Sequence, residues 1–223
     1  VGDKGRIFLK PKEIISQLEE GDILYMDFDA LVLRVLDISL RADGFITARV
    51  ISGGYLGSNK GLHIDSAMKK TYNLPVLSPK DYQSIELGLK EGVENIAASF
   101  MRSGNFVREV RKATKNRMKI ISKIECQDGL DNLDDIIAES DFLLIDRGDL
   151  SKEVPLEEIP FLQKEIIEKS NKAGMGVYVA TNLLETMVEK KKPTRAEVCD
   201  IVNTILGGAY GLTLSSETAI GKY

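Results

Sequence analysis

The sequence predicts an α/β fold, a parallel sheet of the (β/α) barrel type carrying a small β-rich segment ahead of it. From residue 77 onward, short apolar runs at 95–100, 119–125, 142–145, 176–181 and 210–214 alternate with stretches of helical spacing, the signature of a parallel sheet with crossover helices. Each run ends in or just before a polar residue: Ser99, Glu125, Asp149, Thr181 and Ser215. In a (β/α) barrel those ends form one rim, where the chemistry of such enzymes sits. Residues 1–66, by contrast, hold short alternating strands and no long helix.

Taken in order, 24–28 and 31–35 read as short apolar strands, 45–51 alternates before the turn Ser52-Gly53-Gly54, and a short helix is expected over 11–18. This segment, 1–66, is expected to form a small antiparallel cap, with 67–223 as a parallel α/β domain. The joint at 65–77, with Lys69, Lys70, Asn73 and Pro75, has a linker's polarity. Ser78-Pro79 starts a helix through Leu89, with Ser78 as N-cap, Pro79 at the first helical position and Gly92 just past the end. Further helices are expected over 107–113, 128–138 and 156–172, the last closed by Gly174. Thr194 and Glu197 have capping-box spacing ahead of a helix reaching Leu206, which explains both residues without function.

The stretch 118–151, MKIISKIECQDGLDNLDDIIAESDFLLIDRGDLS, organises the rest. Side chains alternate along a strand, so Lys123 and Glu125 leave the first strand on one face while Ile120, Ser122 and Ile124 take the other. A parallel neighbour ending in Asp146, Arg147, Gly148 and Asp149 brings Asp149 beside Glu125 at the carboxyl ends of both strands. A charge inside an apolar strand costs several kcal/mol unless a metal, an anion or an opposite charge compensates it. The pattern points to a divalent metal site; the plainer reading is a salt bridge beside a solvated loop. A second candidate is GGYLGSNKG, 53–61, where four glycines surround Lys60. Glycine lets backbone N–H groups approach an anion and lysine supplies charge, so phosphate binding fits. The spacing is not that of a P-loop, and the plainer reading is a glycine-rich hairpin with an exposed lysine.

Composition narrows the function classes. With 223 residues, 43% of them hydrophobic, the chain can bury a sizeable core in one large domain or two small ones. A net charge of -4 argues against nucleic acid or an anionic membrane as the main partner. No apolar run has bilayer-spanning length, and the first residues carry no signal pattern. Cys126 and Cys199 lack metal-ligand spacing, so a reducing cytoplasm is the simplest setting. His63 is the single histidine and stands in a GLHID context unsuited to histidine-based nucleophilic catalysis.

The segment ISKIECQDGLDNLDDIIAESDFLLIDRGDLSKEVP resembles the pyruvate kinase family from its catalytic-lysine strand through its metal-binding Arg-Gly-Asp-Leu. VYVATNLLETM, KKPTRAE and LSSETAIGKY are similar to that family's later barrel motifs, and GGYLGSNKGLHI and LPVLSPKDYQSIELGLKEGVENIAASFMR to its mobile lid and the helix and strand that follow. The resemblance spans roughly residues 20–223. It implies a partial (β/α)8 TIM-type barrel with a small β-rich lid, and phosphoryl transfer between phosphoenolpyruvate and ADP, giving pyruvate and ATP, as the last step of glycolysis. By resemblance, Glu125 and Asp149 would hold Mg²⁺ or Mn²⁺, and Lys123 would stabilise charge on the enolate and the transferring phosphoryl group. The Gly148 backbone, Asp149 and the Thr181 hydroxyl would bind substrate, while Lys60 would reach the nucleotide phosphates. A cytoplasmic homo-oligomer is expected, without nucleic acid or membrane partners. K⁺ is implied too, but its ligands and a phosphate-binding arginine belong to earlier barrel strands not found in this chain; Asp3-Lys4-Gly5 is too short a match to count. The family's carboxyl-terminal regulatory domain is also not found here. Ser216 stands where the family usually has glycine, Asn182 where it has glutamine, and Asp146 where a small residue is usual. Two alternatives share the Glu125 and Asp149 pair: a metal-dependent pyruvate-enolate aldolase of the same superfamily, which has no place for GGYLGSNKG, and a catalytically silent module of this family.

Overall fold

The computed structural model describes residues 5–27, 30–66 and 72–223. The chain divides into two compact units, Val1–Pro75 and Val76–Tyr223. Asp3 and Lys4, the last residue of the 24–28 run, and Lys69 and Lys70 of the 65–77 joint lie outside the described residues.

In the first unit the expected short helix is present as a 3-10 helix over Lys12–Gln17. It leads into β1 (Ile23–Met26), β2 (Leu31–Asp37), β3 (Thr47–Ser52) and β4 (Leu62–Asp65), an antiparallel sheet in the order β3-β2-β1-β4. Strand alternation turns Leu24, Met26, Leu33 and Val35 inward onto Leu18, so this unit has its own core. β4 was not expected: LHID is four residues long with a histidine and an aspartate, too short and polar for a strand signal. Its presence also corrects the hairpin reading of 53–61, because β3 and β4 sit at opposite edges of the sheet and the glycine-rich stretch crosses between them.

The second unit is a five-stranded, wholly parallel sheet of β5 (Asn95–Ala98), β6 (Lys119–Ile124), β7 (Phe142–Asp146), β8 (Val177–Ala180) and β9 (Gly211–Thr213), paired in chain order. Helix α1 (Pro79–Lys90) precedes β5; between the strands lie α2 (Gly104–Ala113), α3 (Gln127–Asp131), α4 (Leu133–Glu139), α5 (Arg147–Leu150), α6 (Ile159–Lys172) and α7 (Arg195–Leu206), and α8 (Ser216–Ala219) follows β9. This is the strand order of a barrel wall, without closure among the described residues. One face of the sheet, carrying Ile120, Ile124, Leu143, Ile145, Val177 and Val179, packs on Val107 and Val110 of α2, Leu133 and Ile136 of α4, and Ile166 and Ile167 of α6. The opposite face carries Lys123 and, in register with it, Leu144.

The single helix expected over 128–138 is two helices. Asn132 breaks it at φ -111° and ψ 23°, because its side-chain amide donates to the Asp128 carbonyl at 2.9 Å and to the Arg102 carbonyl at 3.0 Å, competing with the helix ladder. Gly129 allows α3 to approach the chain after β5, since a Cβ there would stand 2.8 Å from the Met101 carbonyl oxygen.

Both expected caps form capping boxes, Ser78 with Asp81 on α1 and Thr194 with Glu197 on α7. Glu197 does more than cap. It also accepts from the Thr186 N–H at 2.8 Å and hydroxyl at 2.6 Å, fastening α7 to the chain after β8. Burial opposes its ionisation, but the Thr186 and Thr194 hydrogen bonds outweigh that and hold the carboxyl at about 2. A depressed carboxylate stabilises the fold above its unfolded value and loses that contribution as pH falls toward 2. Glu197→Gln should therefore cost about 1 kcal/mol at neutral pH and flatten the acid side of the stability curve below about pH 4.5, read from urea melts at stepped pH.

Candidate functional site

The rim of the second unit gathers a buried carboxylate and a lysine from β6 with groups from the ends of β5, β7 and β8. Glu125, one residue past β6, has a side chain only 1% exposed. Its Oε2 accepts from the Phe100 N–H at 2.7 Å, and Phe100 holds the uncommon φ of 51° at the end of β5. Lys123 Nζ lies 2.5 Å from Glu125 Oε1 and 3.0 Å from Asp146 Oδ2. Asp146 closes β7 and caps α5. Its Oδ1 accepts from the Asp149 N–H at 3.4 Å and the Thr181 hydroxyl at 3.3 Å. The Gly148 N–H donates to Thr181 Oγ1 at 2.8 Å, and Lys152 Nζ makes a direct ion pair with Asp149 Oδ1. A Cβ on Gly148 would press Thr181 Oγ1 at 3.3 Å, so the bare backbone keeps this N–H against the hydroxyl.

Lys123, Glu125, Gly148, Asp149 and Thr181 are thus one constellation. Among the described residues no hydrogen bond ties Ser99 or the Ser215 side chain to it. The Ser215 N–H donates instead to Glu217, whose other carboxylate oxygen takes the Leu184 N–H at 2.7 Å. Lys60 stands in the first unit, 3.1 Å from Asp27 Oδ2 and 43% exposed.

The electrostatics follow from burial set against pairing. Burial favours neutral lysine, but Glu125 and Asp146 outweigh it and raise the Lys123 ammonium above the ordinary lysine range. Burial raises Glu125, with Lys123 opposing it, while at Asp146 the Lys123 charge outweighs burial and holds the carboxyl below its usual value. Cys126, one residue on, is pushed up to about 11 by burial and supplies no thiolate.

Two residues were missed as members of the site. The register that puts Leu144 beside Lys123 puts Asp146, two residues further on, on the same face; that arithmetic was available from the sequence. Arg147 is a support. Its guanidinium donates to the carbonyls of Thr181 at 2.7 and 3.2 Å and Asn182 at 3.1 Å, while Nη1 forks onto Asp200 at 2.8 and 3.0 Å. Thr181 and Asn182 hold φ of 69° and 52°, and for a β-branched threonine that is a genuine outlier. The guanidinium fixes the turn that aims Thr181 at Gly148. No sequence pattern announces a contact 34 residues away in the chain.

One carboxylate oxygen from each of Glu125, Asp146 and Asp149 lies within 4.8 Å of the other two. An all-oxygen set of three carboxylates matches Mg²⁺ or Mn²⁺ and not a soft metal. The site is an acidic cluster able to accept a divalent cation, at the carboxyl ends of the strands of a partial (β/α) barrel.

The family model "Pyruvate kinase, barrel domain" matches residues 1–223. The chain is 40% identical over 215 residues to a pyruvate kinase of Sporosarcina psychrophila, covering 95% of this chain and 36% of that protein. It is 40% identical over 220 residues to one of Debaryomyces hansenii, covering 97% and 43%, and 36% identical over 227 residues to one of Thermococcus litoralis, covering 100% and 46%. The chain belongs to the pyruvate kinase family. It spans less than half the length of these curated relatives.

Proposed function

We propose that the protein containing this chain transfers a phosphoryl group between phosphoenolpyruvate and ADP, forming pyruvate and ATP, with Lys123, Glu125, Asp149, Gly148 and Thr181 at the reacting centre. The observation that carries this reading is Lys123 Nζ held 2.5 Å from the buried Glu125 at a rim where three carboxylates cluster. Phosphoryl transfer asks little covalent chemistry of a protein; positioning and electrostatic stabilisation supply most of the rate.

Glu125 and Asp149 would hold the divalent cation, Mg²⁺ or Mn²⁺. When bound, that cation neutralises phosphoryl and enolate oxygens. Lys123 places a fixed ammonium where negative charge grows in the transition state. The Gly148 N–H and Thr181 hydroxyl, adjacent at 2.8 Å, are suited to orient the substrate carboxylate. In the same reading residues 1–66 act as a lid, 67–223 as the barrel, and Lys60 exchanges its pairing with Asp27 for the nucleotide phosphates. K⁺ is part of this reading through the family alone. A cytoplasmic setting and a homo-oligomer also remain proposals; among the described residues no helix is long and apolar enough to cross a membrane.

The test is ATP formation by the complete protein. ATP is expected when phosphoenolpyruvate, ADP and Mg²⁺ are all present, and in the absence of any one of them none. Cleavage of a C–C bond in a 2-keto acid substrate without nucleotide would instead identify an aldolase, and neither activity would leave a silent module.

A further inference from the structure

We propose that Asp146 is a third carboxylate of the divalent-cation site, placed so that the cation is held before a phosphate-bearing substrate arrives. This rests on the reading of Glu125 and Asp149 given above and adds to it a residue standing where the family usually has a small one.

Charge makes the case first. Glu125 and Asp149 alone are matched one for one by Lys123 and Lys152, whose ammonium groups lie against them. That foursome sums to zero formal charge and has little net attraction for a dication. Asp146 makes the group net negative, and cation affinity at oxygen sites is tuned by the count of ligand charges.

Geometry makes it second. The Asp146 carboxylate lies within 4.8 Å of the other two and is 8% exposed. Its oxygens are fixed by Lys123, Thr181 and the Asp149 N–H, so it enters the site already oriented. Capping alone does not require this residue, because Asn or Ser caps a helix as well as Asp. A carboxylate adds only charge and ligand capacity to that role.

The probe is Mn²⁺ alone, with the free ion counted by electron paramagnetic resonance in titrations of the complete protein without phosphoenolpyruvate or nucleotide. Asp146→Asn keeps size and cap; Asp146→Ser restores a small residue and still caps, so it carries the test should the first variant misfold. With circular dichroism and melting temperature as in the parent, both are expected to weaken Mn²⁺ binding about 10- to 100-fold. Parent-like Mn²⁺ binding in both, beside loss of binding in Glu125→Gln and Asp149→Asn, overturns the role of Asp146 and leaves the two-carboxylate site standing. Parent-like binding in all four variants overturns the cation site itself.

Discussion

Replacing Lys123 by methionine is expected to lower the turnover rate of ATP formation by about 10²- to 10³-fold, with the KM for phosphoenolpyruvate changed only a few-fold. The side chain is 20% exposed and reaches its two carboxylates across a rim backed by an apolar core, so its charge acts at a lower effective dielectric than in water. An interaction that strengthens only as charge develops on the transferring group appears in turnover and not in affinity. Methionine keeps the length of the stem but leaves Glu125 and Asp146 facing each other without a cation. The comparison therefore belongs at saturating Mg²⁺, with the melting temperature recorded beside the kinetics. A rise in KM at unchanged turnover would make Lys123 an anchor for a bound anion.

The second large effect is expected at Arg147, and it combines stability with substrate binding. Arg147→Met removes the fork on Asp200 and leaves the Thr181 and Asn182 carbonyls without their donor in a turn already held at positive φ. Asp200 is 36% exposed and can turn to water, so the cost lies mostly in the two carbonyls that lose their donor, about 1–3 kcal/mol, which urea denaturation would read directly. Since the turn carries Thr181, the KM for phosphoenolpyruvate should rise as well. Arg147→Lys is expected to recover only part of either loss, because an ammonium cannot serve Asp200 and two carbonyls at fixed angles. Stability equal to the parent in Arg147→Met would mean that the turn is held by its neighbours instead.

These two residues mark what could and could not be read in advance. Lys123 and Glu125 declared themselves by interrupting an apolar strand at a two-residue interval, and strand alternation alone put them on one surface. The parallel neighbour and the order of the sheet followed from apolar runs alternating with helical spacing, and the Ser78 N-cap and the Thr194–Glu197 capping box were legible as local patterns, whereas the return bond from Asp81 that completes a box at Ser78 was not. Arg147 was not legible, since its partners Asp200 and Thr181 come from other elements and only the packed chain brings them together. Asn132 shows the same limit at short range: the apolar spacing from Leu130 to Ile137 is helical, yet one amide bonded to the Arg102 carbonyl splits it. β4 escaped because four residues with two polar members carry no periodic signal, and the crossing path of 53–61 follows from β4. Asp146 was legible from strand alternation, two residues past Leu144 on the face that carries Lys123, while its departure from the family pattern says nothing of that face.

The measurement that bears most directly on the central claim is the transfer itself in the two ligand variants. With ³¹P magnetic resonance on the complete protein, the phosphorus of phosphoenolpyruvate should disappear as the γ-phosphorus of ATP grows in, one for one, in the presence of Mg²⁺. In Glu125→Gln and Asp149→Asn that exchange should fall by at least about 10²-fold and demand far more Mg²⁺ to be seen at all. ATP forming in both variants at the parent's rate and the parent's Mg²⁺ concentration would contradict the assignment of this rim as the place where the phosphoryl group is transferred.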